Sequence, residues 1–203
     1  TLPASTTGTA TILARAVDDS GNLQGTPASR SFTVGAASCP CTLWPPSATP
    51  AVAADPETRT VNLGVKFRAN RNGYITGIRF FKGAGNTGTH VGALWTATGT
   101  LLGSTTFVNE TATGWQQQNF DTPIPVTAGT VYVASYRAPN GRYAFNGGYF
   151  TNAGVTSGPL TALRNGESGG NGVYVYGGTS VLFPTSSYQS ANYWVDVVFQ
   201  PEP

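Results

Sequence analysis

Charge is what this sequence has least of. Only 10% of its 203 residues are Asp, Glu, Lys or Arg, against about 25% in an average soluble domain. The 11 basic and 9 acidic residues stand singly, so no basic stripe exists to neutralise a run of phosphates, and nucleic acid is not an expected partner. No run of eighteen apolar residues occurs, which removes a membrane-spanning helix from the expectations. The opening Thr-Leu-Pro-Ala-Ser carries neither a charged nor a hydrophobic signal region. A soluble, monomeric piece of a longer chain is expected.

Histidine and cysteine are equally scarce. His90 is the one histidine, and no G-x-S-x-G elbow accompanies it, so a Ser-His-acid nucleophile lacks its parts. Cys39 and Cys41 are the two cysteines. With Pro40 between them they match no C-x-x-C redox motif, and a zinc site would need two further ligands. A disulfide between them is expected in an oxidising compartment, although a bridge between i and i+2 is geometrically tight. Abundant Thr, Ser and Gly point the same way, to a secreted, extracellular setting.

The polar surface must therefore be built from Thr, Ser, Asn, Gln and Gly, which suits sugar hydroxyls better than ions. TATILARAV (9–17) and ASRSFTV (28–34) flank the turn formers Asp18-Asp19-Ser20-Gly21-Asn22 and predict one hairpin. It is similar to the last two strands of an immunoglobulin-like or fibronectin-like domain; the alternative is that it supplies extra strands to the main sandwich. Residues 35–54 are rich in Ala, Ser and Pro and read as a linker. The expected division is a truncated hairpin with linker at 1–37 and a β-sandwich domain at 38–203.

Beyond the linker, period-two runs predict strands at 59–67, 74–81, 90–97, 100–108, 114–120, 130–138 and 192–199. Val61, Leu63, Val65 and Phe67 fall on one face. Residues 139–191 are Gly- and Tyr-rich, with strand signals only in YAFNGGYF and GVYVYG. No 3.6-residue stripe stands out. The fold class is all-β, an antiparallel β-sandwich of jelly-roll type with long Gly/Tyr-rich loops, and long loops in compact domains are usually functional or disordered.

CPCTLW at 39–44, NLGVKF at 62–67 and GIRFFKGAGNTGTH at 77–90 are followed in order by GALW, GWQ, PVTAGTVYVASY, APNGRY, FPTSSY and NYWVDVVF. Across about residues 39–199 the chain resembles the bacterial domain-of-unknown-function family 4082. That resemblance implies a β-sandwich accessory module of secreted multidomain proteins, beside immunoglobulin-like repeats and carbohydrate-active or oxidase-like domains. Carbohydrate binding is an inference from that association.

Sugar recognition needs flat aromatic faces and orienting amides or hydroxyls. The candidate ligand-binding residues are Tyr136, Tyr143, Tyr149, Tyr174, Tyr176, Tyr188 and Tyr193, with Asn140 and the two ends of the Gly-rich loop, Lys82 and His90. Most single rings of this kind pack into a core; several at one end of the sandwich make a site. No G-K-[ST] closes the Gly-rich loop, which excludes a P-loop. A glycosidase would need two carboxylates across one sugar, drawn from Asp55, Glu57, Glu110, Asp121, Glu167 and Asp196. Asp196 interrupts an apolar run and should face solvent or pair with Arg or Lys. No cofactor is expected, and structural calcium is the one metal kept in view, with no ligands assigned.

The expected function is a non-catalytic, polysaccharide-targeting module whose partners are a glycan and neighbouring domains of its parent chain. A structural spacer or protein-interaction module is the alternative, and a glycoside-active hydrolase the second.

Overall fold

A computed structural model describes residues 8–34 and 39–202, and the chain divides into two compact units, Thr1–Ser38 and Cys39–Pro203. In the first, β1 (Gly8–Ala14) pairs antiparallel with β2 (Ala28–Val34), Ala14 opposite Ala28. The Asp18 carboxylate closes the turn, accepting from the amides of Ser20 and Asn22 and from the Asn22 side chain. It is thereby satisfied by its own turn, as Asp at such corners usually is. Of the expected linker 35–54, residues 35–38 lie outside the described residues, and residues 39–54 belong to the second unit.

The second unit is an antiparallel β-sandwich, with no helix among the described residues. Its elements are β3 (Val61–Ala69), β4 (Gly73–Lys82), β5 (Val91–Thr96), β6 (Leu101–Thr106), β7 (Gly114–Val126), β8 (Tyr132–Ala138), β9 (Val155–Ser157), β10 (Leu160–Ala162), β11 (Val173–Tyr176), β12 (Ser186–Ser187) and β13 (Val195–Pro201). One sheet runs β12-β11-β3-β8-β5-β6, with β10 also beside β3 and β9 beside β10; the other runs β13-β4-β7. Two differences from the expected strands have local causes. Strand β7 continues through Pro123 and Pro125, which an edge strand tolerates because its outer N–H groups need no partner. Strand β13 starts at Val195 because Trp194 is in the left-handed region, at φ 55°.

The alternation read in β3 puts Val61, Leu63, Val65 and Phe67 into the core, where they meet Ile75, Ile78 and Phe80 of β4 and Val195, Val197 and Phe199 of β13. Fully burying a side chain of this size contributes about 1.5–3 kcal/mol. Phe80 stacks on Tyr136 of β8, centroids 4.1 Å apart, and meets Phe107 edge-on.

The other face of β3 is covered too. Asn62 donates to Gly177 O and accepts from the Leu182 amide. Val181 and Phe183 pack on Ala93, Trp95, Val133 and Val173 there. This part of the Gly-rich stretch is packing material for the sheet.

Before β3, the chain runs as a strap from β13 to the loop after β8. Cys41 bridges to Phe199, Val52 to Phe145, and the Asp55 amide donates to Tyr143 O. Cys39 and Cys41 are joined by a disulfide. A Cβ on Gly83 would lie 1.8 Å from Ala53 O and one on Gly141 2.3 Å from Glu57 O. Only glycine lets the strap lie this close.

Candidate functional site

The strand register builds the site. Tyr174 lies opposite Leu63 and Tyr176 opposite Val61, so both rings leave the sheet on its inner side, next to the core. Strand β12 is two residues long, and the sandwich margin at this edge is closed by tyrosines rather than by another strand. Tyr143 comes in from the loop after β8, and Tyr188 and Tyr193 from the two ends of the loop joining β12 to β13. Together with Val61 and Leu63 these five tyrosines line a cleft of about 190 Å³.

The rings are graded in freedom. Tyr193 is buried and meets Tyr143 edge-on at 5.7 Å and Tyr174 at 6.2 Å. Tyr174 in turn meets Tyr176 at 5.6 Å. Such perpendicular contacts are the favoured aromatic geometry and make one braced wall. Tyr176 and Tyr188 are 39% and 53% exposed, so their faces are open to a ligand.

Polar groups from the strap border this wall. Tyr176 donates its hydroxyl to Glu57 Oε2 at 3.0 Å, and the Arg59 guanidinium lies 4.0 Å from the Tyr176 centroid, a cation–π contact. Arg59 also donates through Nε to both Glu57 oxygens, at 3.1 and 3.0 Å. The Arg59 side chain holds the Glu57 carboxyl down at about 2, with the amides of Arg59 and Thr58 adding to it. Burial, reinforced by the charge of Asp55, pushes the Tyr143 phenol far above its usual range. Tyr193 moves the same way, through burial and its tyrosine neighbours. Both phenols keep their protons and remain donors as well as acceptors.

Of the residues expected to bind a ligand, Tyr143, Tyr174, Tyr176, Tyr188 and Tyr193 therefore share one cleft. The remaining five are placed elsewhere. Tyr136 is wholly enclosed between the sheets, where burial raises its pKa and Asn86 donates to its hydroxyl; it offers a ligand no surface. Tyr149 is wedged against Trp44, Phe150 and Trp194 and accepts from Trp44 Nε1 at 3.0 Å. Asn140 is exposed and donates to Thr87, tying one loop to another.

Lys82 and His90 do meet, but on Glu110: Lys82 Nζ is 2.8 Å from one carboxylate oxygen and His90 Nδ1 2.8 Å from the other. His90 is fully buried, with Nε2 2.8 Å from Asn86 Oδ1. The Gly-rich loop is thus anchored by its own side chains and crossed by the strap at Gly83, which takes the space a ligand would need there. Asp196 pairs with Arg79 at 2.9 Å, one of the two outcomes expected for it. No group of three or more His, Cys, Asp or Glu side chains comes together to hold a metal among the described residues.

Composition left some participants unseen. Arg59 and the floor residues Val61 and Leu63 are ordinary strand-start residues in the sequence, and only the β3–β11 register brings them under the tyrosines. Asp55 and Glu57 were legible as carboxylates but not as the border of an aromatic cleft.

Neither a curated protein nor a solved structure matches the chain. Residues 47–195, nearly the whole sandwich with most of the strap, match the family described as "Domain of unknown function (DUF4082)", and the chain belongs to that family.

Proposed function

We propose that this chain is a non-catalytic carbohydrate-binding accessory module of a secreted, multidomain bacterial protein, with the tyrosine cleft as its glycan site. The observation that carries this reading is the convergence of five tyrosines, from β11 and two separate loops, on one small cleft with two rings exposed. Phenol faces stack on the C–H surfaces of a sugar and phenol hydroxyls answer its own hydroxyls, so the lining matches both sides of a pyranose. Glu57, held ionised by Arg59, is unsuited to protonate a leaving group, which favours binding over hydrolysis. No cofactor is needed, and nucleic acid and membrane have no part in this reading.

Weak binding at one site gains from tethering beside a catalytic neighbour, which raises effective concentration without new contacts. The test is a pull-down on a panel of insoluble polysaccharides with the wild type, Tyr176→Ala and Tyr188→Ala. Retention of the wild type on at least one polysaccharide, reduced by both substitutions, is expected. No retention, or retention that neither substitution alters, would refute the reading.

A protein-interaction role is the second reading, and the hairpin favours it: Ile12 and Phe32 are exposed on the same face of a two-stranded sheet. Exposed apolar positions grouped this closely mark contact surfaces. Sedimentation of the wild type and of Ile12→Ser/Phe32→Ser with neighbouring domains of the parent chain tests it. Equal behaviour of the two proteins counts against it.

A further inference from the structure

We propose that the tyrosine cleft receives the single terminal ring of a neutral glycan, and that Tyr188 closes over that ring. This rests on the carbohydrate reading above and narrows it from glycans in general to neutral chain ends.

Size is the first argument. The cleft holds about 190 Å³, below the roughly 300–1,000 Å³ of pockets that take drug-sized ligands, and one pyranose is the sugar unit that fits. The walls are not free to lengthen it. Tyr143, Tyr193, Tyr174 and Tyr176 brace one another in sequence through perpendicular ring contacts, and the floor residues Val61 and Leu63 are both 1% exposed. At Tyr176 the Glu57–Arg59 pair stands against the ring.

Charge is the second. Arg59 compensates Glu57, and among the described residues Asp55 pairs with no cationic side chain; its carboxylate accepts from the Glu57 amide. Asp55 stands beside the cleft, its amide donating to Tyr143 O at 2.8 Å, and its charge opposes ionisation of the Tyr143 and Tyr193 phenols. A carboxylate sugar would meet the same repulsion, whereas a neutral ring meets donors and acceptors.

Tyr188 is the third. It is 53% exposed and, among the described residues, is the one tyrosine of the cleft with no aromatic ring contact. Yet the backbone that carries it is tightly specified. Gln189 and Ser190 are consecutive left-handed residues, at φ 50° and 47°, a conformation that L side chains adopt uncommonly. Gly148 N donates to Gln189 O at 2.7 Å, Phe150 N to Ser190 O at 2.9 Å and Ala191 N to Tyr188 O at 3.1 Å. A fixed corner carrying a loose ring can lay that ring over a ligand and release it.

The experiment is an NMR titration of the full chain, following tyrosine ring protons. The probes are the methyl glycosides of glucose, galactose, mannose, xylose and N-acetylglucosamine, their linear di-, tetra- and hexasaccharides, and methyl glucuronide. At least one neutral methyl glycoside should bind, with its oligosaccharides within about threefold of it in Kd and glucuronide weaker. Tyr188→Ala should weaken binding about tenfold, while Tyr74→Ala, an exposed ring outside the cleft, should not.

Affinity climbing about tenfold or more from monosaccharide to hexasaccharide would overturn the chain-end assignment and leave carbohydrate binding standing. Glucuronide bound as tightly as glucoside would overturn its neutral part. Binding that Tyr188→Ala leaves intact would overturn the closing role. No shift with any sugar would overturn this proposal together with the reading beneath it.

Discussion

Arg79 Nη1 lies 2.9 Å from Asp196 Oδ2 in a place where the two side chains are 5% and 0% exposed. Asp196 also accepts from the amides of Leu43, Trp44 and Val197. Arg79 donates to Trp44 O and lies 4.5 Å from the Trp115 ring centroid. The pair thus pins the 39–44 end of the strap to β4 and β13. Burial pushes the Asp196 carboxyl up to about 6, with Arg79 and the three amides pulling against it. Removing one partner of such a pair costs more than the pair contributes, because the other is left charged and dry. Asp196→Ala should lose about 3–5 kcal/mol in urea denaturation. Arg79→Met/Asp196→Leu should lose clearly less than the sum of its single substitutions, the coupling being read from the double-mutant cycle.

The cluster of His90, Glu110 and Lys82 makes stability depend on pH. Burial lowers the His90 pKa from 6.5, with Lys82 and Arg137 adding to the effect and Glu110 opposing it. The two nitrogens both face oxygen acceptors, which favours the protonated ring; full enclosure of the imidazole makes desolvation the larger influence. Below pH 6.5 the unfolded chain then binds more protons than the folded one, so stability falls as pH drops through this window. Asp196 works in the opposite sense: its contribution is full below 3.8 and is lost as pH rises through about 6. Comparing wild type with His90→Gln cancels Asp196. Thermal melts from pH 7.5 to 5.5 should show the wild type losing ground relative to the variant; parallel curves would refute this.

Fold class and most of the cleft were legible because both rest on short-range pattern. Period-two alternation marked Val61 to Phe67 as core, and tyrosines interleaved with Asn and Gly marked the region of the site. Burial was the part composition could not give. Tyr136 and Tyr176 are the same residue type in similar strand contexts, yet β8 is a central strand and β11 lies near the sheet edge, so one ring is enclosed and the other open. The short strands β9, β10 and β12 were missed because two or three residues carry no readable period, and their pairing is dictated by β3 and β11. Lys82 and His90 misled because a Gly-rich loop looks equally open to a ligand or to its own chain, and here the strap occupies it.

Exposure within the cleft separates binding from folding. Tyr193 is 4% exposed and Tyr188 53%. Truncating a buried aromatic costs about 3–5 kcal/mol, whereas surface substitutions stay within about 0.5 kcal/mol. Tyr193→Ala should destabilise the sandwich by the first amount and Tyr188→Ala by no more than the second, both from chemical denaturation. A large loss in Tyr188→Ala would make that ring structural.

Gly83 and Gly141 are both closely approached by the strap, at Ala53 and Glu57, but they differ in backbone. Gly141 also has φ 61°, whereas Gly83 is not in the left-handed region. Gly141→Ala therefore meets a clash and an unfavourable φ together, and displaces Glu57 from Tyr176. It should lose about 2 kcal/mol or more, a size reserved for named mechanisms such as this, and alter the Tyr176 ring resonances. Gly83→Ala should be destabilising without moving those resonances. Equal spectral effects would show that the strap moves as one piece.

The left-handed pair Gln189 and Ser190 gives the sharpest separation of stability from function. A side chain in this conformation costs roughly 1–2 kcal/mol, and glycine removes that cost while adding about 0.5–1 kcal/mol of backbone entropy to the unfolded chain. Gln189→Gly and Ser190→Gly should therefore be neutral to about 1 kcal/mol stabilising in thermal melts. Glycan affinity should nevertheless fall, because Tyr188 would then have to be ordered on binding rather than beforehand, and that ordering subtracts from the net binding energy. The same titration that follows Tyr188→Ala reads the loss. Variants that are strongly destabilised would show the corner to be unstrained, and variants that bind as the wild type does would show that its rigidity has no part in recognition.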